Sequence, residues 1–162
     1  MILTHFDETG QARMVDVGAK PETLREAVAA GDITLSAQGY RLLRDGQVAK
    51  GDVLGIARVA GIMAAKRVDH LIPLAHSLIL TCVQVSYQFE ETTFTLNIQA
   101  TVAAHGRTGV EMEALTAVSV VALTVYDMLK AVDRGMVIGN IRLLNKTGGK
   151  SGSYRREKEN SI

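Results

Sequence analysis

The chain has 162 residues, of which 47% are hydrophobic and 22% charged, with only 2 prolines. This composition excludes disordered, collagen-like and low-complexity proteins, and the length predicts a single domain over residues 1–162. The 18 basic and 17 acidic residues leave a net charge of +1, so no nucleic-acid partner is expected.

The single cysteine, Cys82, can form neither an intrachain disulfide nor a cysteine-rich zinc site. The four histidines have no metal-ligand spacing, so no metal is expected. The N-terminus lacks the basic region of a signal peptide, and the uncharged stretch 114–126 is too short to cross a bilayer. These features predict a cytoplasmic protein without a membrane partner.

The first third of the chain has only weak sequence patterns for secondary structure. Residues 1–14 have no periodicity and are expected to be a mobile arm. Pro21 is typical of a helix start and Gly31 of a helix end, which predicts a short helix between them. A brief strand is expected from Ile33 to Leu35.

Two further helices follow. Ser36 is a good N-cap and Gly46 a good stop for one of them. The next is predicted from Asp52 to Val68, and it is rich in small residues. Small residues inside a helix indicate that another element packs closely against it.

Alternation of apolar and polar residues predicts two strands, 83–89 and 94–102, joined by a polar hairpin turn. A long helix is predicted from Gly109 to Arg134. A last strand, 136–144, then precedes a polar tail over residues 150–162.

The predicted core order is strand, helix, strand, strand, helix, strand. This order is typical of an α+β fold of the ferredoxin-like split βαβ type, in which an antiparallel sheet carries both helices on one face. The open, polar face of the sheet is expected either to be hydrated or to meet another subunit.

The long helix has no charge over residues 114–126, which predicts burial on nearly every side and a partner subunit over part of it. At its start, Thr108 and Glu111 have the spacing of a capping box. Glu113 has a weaker structural explanation, since an acid in the first turn only suits the helix dipole.

At the far end of the helix, Asp127 opposes the dipole, and Lys130 lies on the same face. Burial and opposite charge are expected to shift both pKa values, which favours a proton-transfer pair. A purely structural ion pair is the alternative. Glu111 and Asp127 are about 24 Å apart along the helix. If both ends are functional, there are either two sites or one site that joins two subunits.

The basic residues near the third helix, Lys50 and Lys66 among them, suit an anionic ligand, although a solvated helix face is the alternative. His76 is either structural or catalytic. The GGKSG segment at 148–152 lacks the first glycine of a P-loop and no helix is predicted after it, so that motif is rejected. The segment is either a flexible basic tail or a loop that closes over a bound polyphosphate.

Several short motifs together resemble the MoaC family, the cyclic pyranopterin monophosphate synthases of molybdenum cofactor biosynthesis. The resemblance covers residues 11–154. The motifs are MVDV at 14–17, KGDV at 50–53, AAKR at 64–67, LIPL at 71–74, TGVEMEALT at 108–116, YDMLKAV at 126–132 and GGKSG at 148–152. TGVEMEALT and YDMLKAV are the most specific of them.

The resemblance implies a ferredoxin-like subunit in a homohexamer, a trimer of dimers, with active sites at subunit interfaces. The implied reaction is that of a phosphorus-oxygen lyase. It converts (8S)-3′,8-cyclo-7,8-dihydroguanosine 5′-triphosphate, a small GTP-derived substrate, to cyclic pyranopterin monophosphate and pyrophosphate. This chemistry requires proton transfers and stabilisation of a leaving anion, so no redox cofactor is expected.

The resemblance also implies roles for individual residues. Asp127 is implied as the general acid/base, with Lys130 and Lys50 as its catalytic companions. The implied substrate-binding residues are Leu74, Ala75, His76, Glu111, Met112 and Glu113, with Lys66, Arg25 and Lys146 as candidates for the triphosphate.

The chain departs from the family pattern where many members read CHP, because it has Ala75, His76 and Ser77. A role for the family's thiol cannot apply here, and the loop loses a proline. Two other functions compete with the enzyme: a catalytically silent module that binds a purine nucleotide, and a ferredoxin-like RNA binder. The missing aromatic motif argues against the RNA binder.

Overall fold

The structure is a computed structural model that describes residue 7, residues 9–150 and residues 152–157. Its sheet has the strand order β2-β3-β1-β4-β5, and all the pairs are antiparallel. The elements are β1 Thr23–Thr34, α1 Ala37–Arg44, α2 Val53–Ala65, a 3₁₀ turn Val68–His70, β2 Leu80–Glu90, β3 Thr95–Gly106, α3 Glu111–Leu129, β4 Val137–Thr147 and β5 Tyr154–Arg155.

The predicted α+β class and ferredoxin-like arrangement are confirmed. Strands β1 to β4 with α2 and α3 form the split βαβ unit, while α1 and β5 are additions to it. The helices α2 and α3 pack against each other, and α3 lies across β1, β3 and β4. The single domain and the mobile arm stay predictions, and residues 1–6 and 8 of that arm lie outside the described residues.

The predicted helix between Pro21 and Gly31 is wrong, because this segment is the central strand β1. It pairs with β3 on one side and β4 on the other. Its alanines favour a helix locally, but Ala27 and Ala29 are completely buried beneath the helical layer. Two-sided pairing in the sheet outweighs the local preference here.

The N-cap and the stop predicted for α1 are confirmed, and α2 begins near Asp52 as predicted. Ser36 Oγ accepts a hydrogen bond from Gly39 N at 3.1 Å, and Gly46 beyond α1 has a φ of +65°. Asp52 caps α2 by accepting from Gly55 N at 2.9 Å. The helix ends at Ala65, and a 3₁₀ turn follows it instead of a continuous helix to Val68.

The predicted hairpin is confirmed, and β2 and β3 are both longer than the alternation indicated. The long helix is shorter than predicted: α3 begins at Glu111 and ends at Leu129, not at Arg134. The carboxylate of Asp133 accounts for the early end, because it accepts from Ser36 N at 2.6 Å and Gly135 N at 3.1 Å. It holds the connection to β4 against the start of α1.

The C-terminal segment is more ordered than a polar tail. Strand β4 extends to Thr147, and β5 returns along it in an antiparallel pair. Arg156 N donates to Leu144 O at 2.8 Å, which extends this hairpin by one residue. Residues 158–162 of the predicted tail lie outside the described residues.

Two glycines allow α3 to approach its neighbours closely. A Cβ on Gly31 of β1 would lie 2.8 Å from Val118 Cγ1. A Cβ on Gly61 of α2 would lie 2.6 Å from Val121 Cγ2 and 3.1 Å from Ala117 O. The close packing predicted from the small residues of α2 is therefore confirmed, and its partner is α3.

The burial of α3 is one-sided within this chain. Ala114, Val118, Val121 and Val125 are completely buried, but Leu123 is 57% exposed. Burial on nearly every side was predicted and is wrong for the single chain. By length and composition alone α3 is also long and apolar enough to span a membrane, as core helices of soluble proteins often are.

We expect Gly61→Ala to destabilise the fold by about 1–3 kcal/mol, because overpacking against the backbone of Ala117 outweighs the helical preference of alanine. Urea unfolding measures the difference. Gly135→Ala is the control, since its Cβ would meet only Asp133 Oδ1 at 3.7 Å. A Gly61→Ala protein as stable as wild type would contradict the close α2–α3 contact.

Candidate active site

A cleft of about 660 Å³ opens at the N-terminal end of α3. Three segments that are distant in the sequence form it: residues 15–20, the loop 72–78 and residues 108–113. All six residues of the predicted LAH and EME groups line it, namely Leu74, Ala75, His76, Glu111, Met112 and Glu113. The structure therefore brings together the two motifs to which substrate contacts were assigned.

The imidazole of His76 joins two walls of the cleft. Its Nε2 lies 2.8 Å from the carbonyl oxygen of Val15. A carbonyl only accepts, so Nε2 carries the proton in this bond, and Nδ1 is the ring nitrogen that can exchange a proton with a ligand.

Ser77, where many members of the family have a proline, holds the loop that carries His76. Ser77 Oγ donates to the carboxylate of Asp69 in the 3₁₀ turn, and this hydrogen bond is the main reason that the pKa of Asp69 is lowered. The serine thus ties the loop to the helical layer at the position where a proline would stiffen it.

Glu113 is the buried acid of the cleft, only 4% exposed. Burial raises its pKa to about 7, and the negative charges of Glu111 and Asp69 act in the same direction. A carboxyl with this pKa can both give and take a proton near neutral pH. The predicted interaction with the helix dipole explains why an acid lies in the first turn of α3, but not why this acid is buried.

The capping box predicted for Thr108 and Glu111 is wrong. The N-cap of α3 is Val110, which makes no side-chain capping bond, and Thr108 lies in the cleft wall. Glu111 instead pairs with Lys146 Nζ of β4 at 3.1 Å. This partner is remote in the sequence, so local spacing gave no indication of it.

Arg25 of β1 is enclosed. It is 7% exposed, and its Nε donates to Gly106 O at 3.1 Å. A Cβ on Gly149 would overlap Arg25 Nη1, so the glycine turn lies directly on the guanidinium. Lys66 is exposed at the C-cap of α2 and does not line the cleft. The phosphate contacts assigned to Arg25, Lys66 and Lys146 stay predictions.

The three predicted catalytic residues meet at the opposite end of α3. Lys130 Nζ lies 2.6 Å from Asp127 Oδ1, and Lys50 Nζ donates to the backbone oxygen of Asp127 at 2.9 Å. The side chains of Asp127 and Lys130 are 62% and 53% exposed. The predicted pairing is confirmed, and the predicted burial is wrong.

The electrostatics of this lysine cluster (Lys50, Asp127 and Lys130) follow from the hydrogen bond and charges within it. The hydrogen bond and charge of Lys130, with a further contribution from Lys50, lower the pKa of Asp127. Asp127 is therefore ionised at neutral pH and is a proton acceptor in its resting state. The cleft and the lysine cluster are about 24 Å apart along α3, so one chain does not unite them.

Sequence reasoning missed several residues of the cleft. Val15 and Val17 belong to the MVDV motif but were assigned no role, and Lys20 is an isolated cation without a pattern. The remaining missed lining residues are Ile72, Leu78, Thr108 and Gly109. Within the described residues, no group of three or more His, Cys, Asp or Glu side chains is arranged to hold a metal ion.

Comparison with known proteins identifies the family. Residues 14–149 match the MoaC family. The chain belongs to the MoaC family. Among its curated relatives is the "Cyclic pyranopterin monophosphate synthase" of Thermomicrobium roseum, 63% identical over 155 residues, with 96% of this chain and 93% of that protein covered.

Two further relatives carry the same name. The protein of Heliobacterium modesticaldum is 60% identical over 155 residues, covering 96% of this chain and 98% of its own length. The protein of Desulfitobacterium hafniense is 55% identical over 157 residues, covering 97% and 96%. The family match includes the cleft motifs and the lysine cluster.

We expect Glu113→Gln to be more stable than wild type at high pH. An unfolded glutamate has a pKa of 4.5, whereas the pKa of Glu113 in the folded chain is about 7. The folded state binds the extra proton between these values, so wild-type stability falls as the pH rises through this range. The difference corresponds to about 3 kcal/mol at about pH 8 and vanishes at about pH 4.

Urea unfolding over this pH range measures the effect, with the exposed Glu26→Gln as the control. A cation next to Glu113, from a ligand or a second subunit, would favour the carboxylate and reduce the difference. Parallel pH profiles for wild type and Glu113→Gln would show that Glu113 ionises like a solvated glutamate.

Proposed function

We propose that this chain is a cyclic pyranopterin monophosphate synthase. It converts (8S)-3′,8-cyclo-7,8-dihydroguanosine 5′-triphosphate to cyclic pyranopterin monophosphate and pyrophosphate in molybdenum cofactor biosynthesis. The observation that carries the proposal is the convergence of two motifs of the MoaC family, LAH at 74–76 and EME at 111–113, on one cleft. Among the described residues, no feature favours a catalytically silent purine-nucleotide module.

The cleft fits the heterocyclic part of this substrate. Apolar side chains from residues 72–78 give it a largely apolar wall. Glu113 supplies a carboxyl that holds its proton near neutral pH, and His76 supplies a ring nitrogen that can form a hydrogen bond with the substrate. Opening the purine ring and closing the pterin ring both require protons to be moved between nitrogen, carbon and oxygen atoms. Groups with a pKa near the working pH perform such transfers best.

The lysine cluster fits the other part of the reaction. Asp127 is an ionised carboxylate paired with Lys130, and Lys50 donates to its backbone oxygen. The carboxylate can therefore accept a proton while the lysines face negative charge. Formation of the cyclic phosphate makes a new bond from oxygen to the α-phosphorus and breaks the bond to pyrophosphate. Cations stabilise the charge that develops on this leaving group.

A complete site therefore needs both ends of α3, about 24 Å apart. We propose that two subunits supply them, in a homohexamer built as a trimer of dimers. Lys146, Arg25 and Lys66 are the candidate triphosphate ligands, and Arg25 requires the turn at Gly149 to shift before its guanidinium meets an anion. We further propose a cytoplasmic location.

We expect Asp127→Ala to keep the fold and the assembly but to abolish turnover, because the side chain is exposed and its loss removes only the carboxylate that pairs with Lys130. Release of pyrophosphate from the cyclic dihydro-GTP substrate is the measurement. Glu91→Ala is the matched control, since Glu91 is an exposed acid that also pairs with a basic side chain, Arg44.

Each result of this experiment tests a different part of the proposal. Release by wild type and Glu91→Ala but not by Asp127→Ala supports both the reaction and the residue. Undiminished release by Asp127→Ala would refute the role of Asp127. Binding without release by the wild-type protein would refute the enzyme and favour the nucleotide-binding module.

A further inference from the structure

Two residues outside the cleft, Asp69 and Ser77, join the 3₁₀ turn to the loop 72–78. Ser77 Oγ donates a hydrogen bond to a carboxylate oxygen of Asp69. Neither residue lines the cleft, so neither is placed to contact a bound substrate. Any effect of this pair on the reaction must therefore act through neighbouring residues that do line the cleft.

The first such neighbour is His76, which directly precedes Ser77. Residues 75–79 belong to neither a helix nor a strand, so their conformation depends on individual hydrogen bonds. Ser77 Oγ anchors the chain after His76 to Asp69, and the ring Nε2 lies 2.8 Å from Val15 O. Two hydrogen bonds to different segments thus hold His76 in the cleft wall.

A serine restrains this loop in a different way from the proline that many members of the family have there. Proline fixes its own φ and keeps the preceding residue extended, whatever its surroundings. Serine does neither, so the restraint on His76 comes from a tertiary contact and depends on the acceptor at Asp69. An ionised carboxylate is the stronger acceptor, and the hydrogen bond from Ser77 in turn lowers the pKa of Asp69.

The second neighbour is Glu113, the buried acid of the cleft. The 3₁₀ turn that carries Asp69 packs against α3. Burial raises the pKa of Glu113 most, and the negative charges of Glu111 and Asp69 add to this effect. Asp69 itself has only a distant cation beside it, His70, whose Nε2 is 3.9 Å from its carboxylate. Other titratable groups at the cleft and its edge are Lys20, His76 and Lys146.

We propose that Asp69 and Ser77 are a positioning pair, in which the hydrogen bond holds His76 in the cleft wall and the carboxylate supplies a negative charge from the 3₁₀ turn packed against α3. The imidazole of His76 and the protonated carboxyl of Glu113 then meet the substrate together. The effect of the pair on turnover rests on the proposed function, whereas its effects on His76 and Glu113 do not.

Substitutions separate the two roles of the pair. Ser77→Ala removes the hydrogen bond but leaves Asp69 ionised at neutral pH, because the pKa of an ordinary aspartate is 3.8. Asp69→Asn removes the charge but keeps a side-chain oxygen that accepts a hydrogen bond. Ser77→Thr keeps the hydroxyl. Ser86→Ala is the control, since Ser86 is an exposed serine on the open face of the sheet.

The imidazole nitrogens of His76 report on the hydrogen bond without any assay of activity. Protein labelled with ¹⁵N-histidine is measured at about pH 8, where an ordinary imidazole is neutral, and His76→Gln identifies the signals. In wild type we expect the proton on Nε2, as the bond to Val15 O requires. We expect Ser77→Ala to average the signals between the two tautomers, while Ser77→Thr and Ser86→Ala match wild type.

Unchanged His76 signals in Ser77→Ala would overturn the role of the hydrogen bond. A wild-type ring without a fixed tautomer would overturn it as well.

Urea unfolding tests the charge of Asp69. Because this charge raises the pKa of Glu113, Asp69→Asn is expected to lower it, so the folded chain holds less extra proton near neutral pH. The stability gained through Glu113→Gln at about pH 8 is then smaller in the Asp69→Asn background than in wild type. In the Ser77→Ala background the gain is expected to be unchanged. Equal gains in wild type and Asp69→Asn would overturn the role of the charge.

Pyrophosphate release connects the pair to turnover. We expect Ser77→Ala to lower kcat/KM about tenfold without moving its pH profile, and Ser77→Thr to restore it. Asp69→Asn is expected to move the limb of the profile that depends on protonated Glu113 to lower pH.

A purely structural pair would lower the active fraction and leave the profile of Asp69→Asn in place, and that result would overturn the link to turnover. An inactive wild-type protein that gives the expected His76 signals and unfolding differences would refute the proposed function alone.

Discussion

The structure depends on how closely α3 packs against its neighbours. Glycines at positions 31 and 61 remove the side chains that would otherwise separate α3 from β1 and α2. Because α3 is held on both sides, its first turn stays in the cleft wall while its last turn carries Asp127 to the lysine cluster. A rigid helix of this kind is an effective spacer between two functional ends, since its length sets their separation.

The carboxyl groups at the two ends of α3 have pKa values shifted in opposite directions, by burial at Glu113 and by the hydrogen bond from Lys130 at Asp127. Glu113 lies in a desolvated cleft beside other acids, so its proton is retained to a higher pH. Asp127 lies in solvent and is held by lysines, so its proton is lost at a lower pH. The two carboxyl groups thus differ in protonation, and the difference is caused by neighbouring groups that only the folded chain brings near them.

The errors made from the sequence have a common origin. The segment around Ala27 and Ala29 looks helical because alanine favours helices locally, yet strand pairing on two sides decides its structure. Thr108 and Glu111 have the spacing of a capping box, but Glu111 turns to Lys146, which lies far along the chain. In both cases a partner remote in the sequence outweighs a local preference. Neither partner has a signature in the short window where the preference is read.

The sequence by itself determined the order of the split βαβ elements, the N-cap and end of α1, the start of α2, the hairpin, the motifs of the MoaC family and the distance between Glu111 and Asp127. These features depend on periodicity, local hydrogen bonds and a fixed rise per residue, all of which act over short stretches of chain. Only the tertiary structure decided that residues 23–34 are a strand, that Glu113 is the acid with a pKa near neutrality, and that an apolar face of α2 and α3 stays uncovered in one chain. Strand pairing, desolvation and exposure depend on contacts between segments that are distant in the sequence, and such contacts leave no pattern in a short stretch of chain.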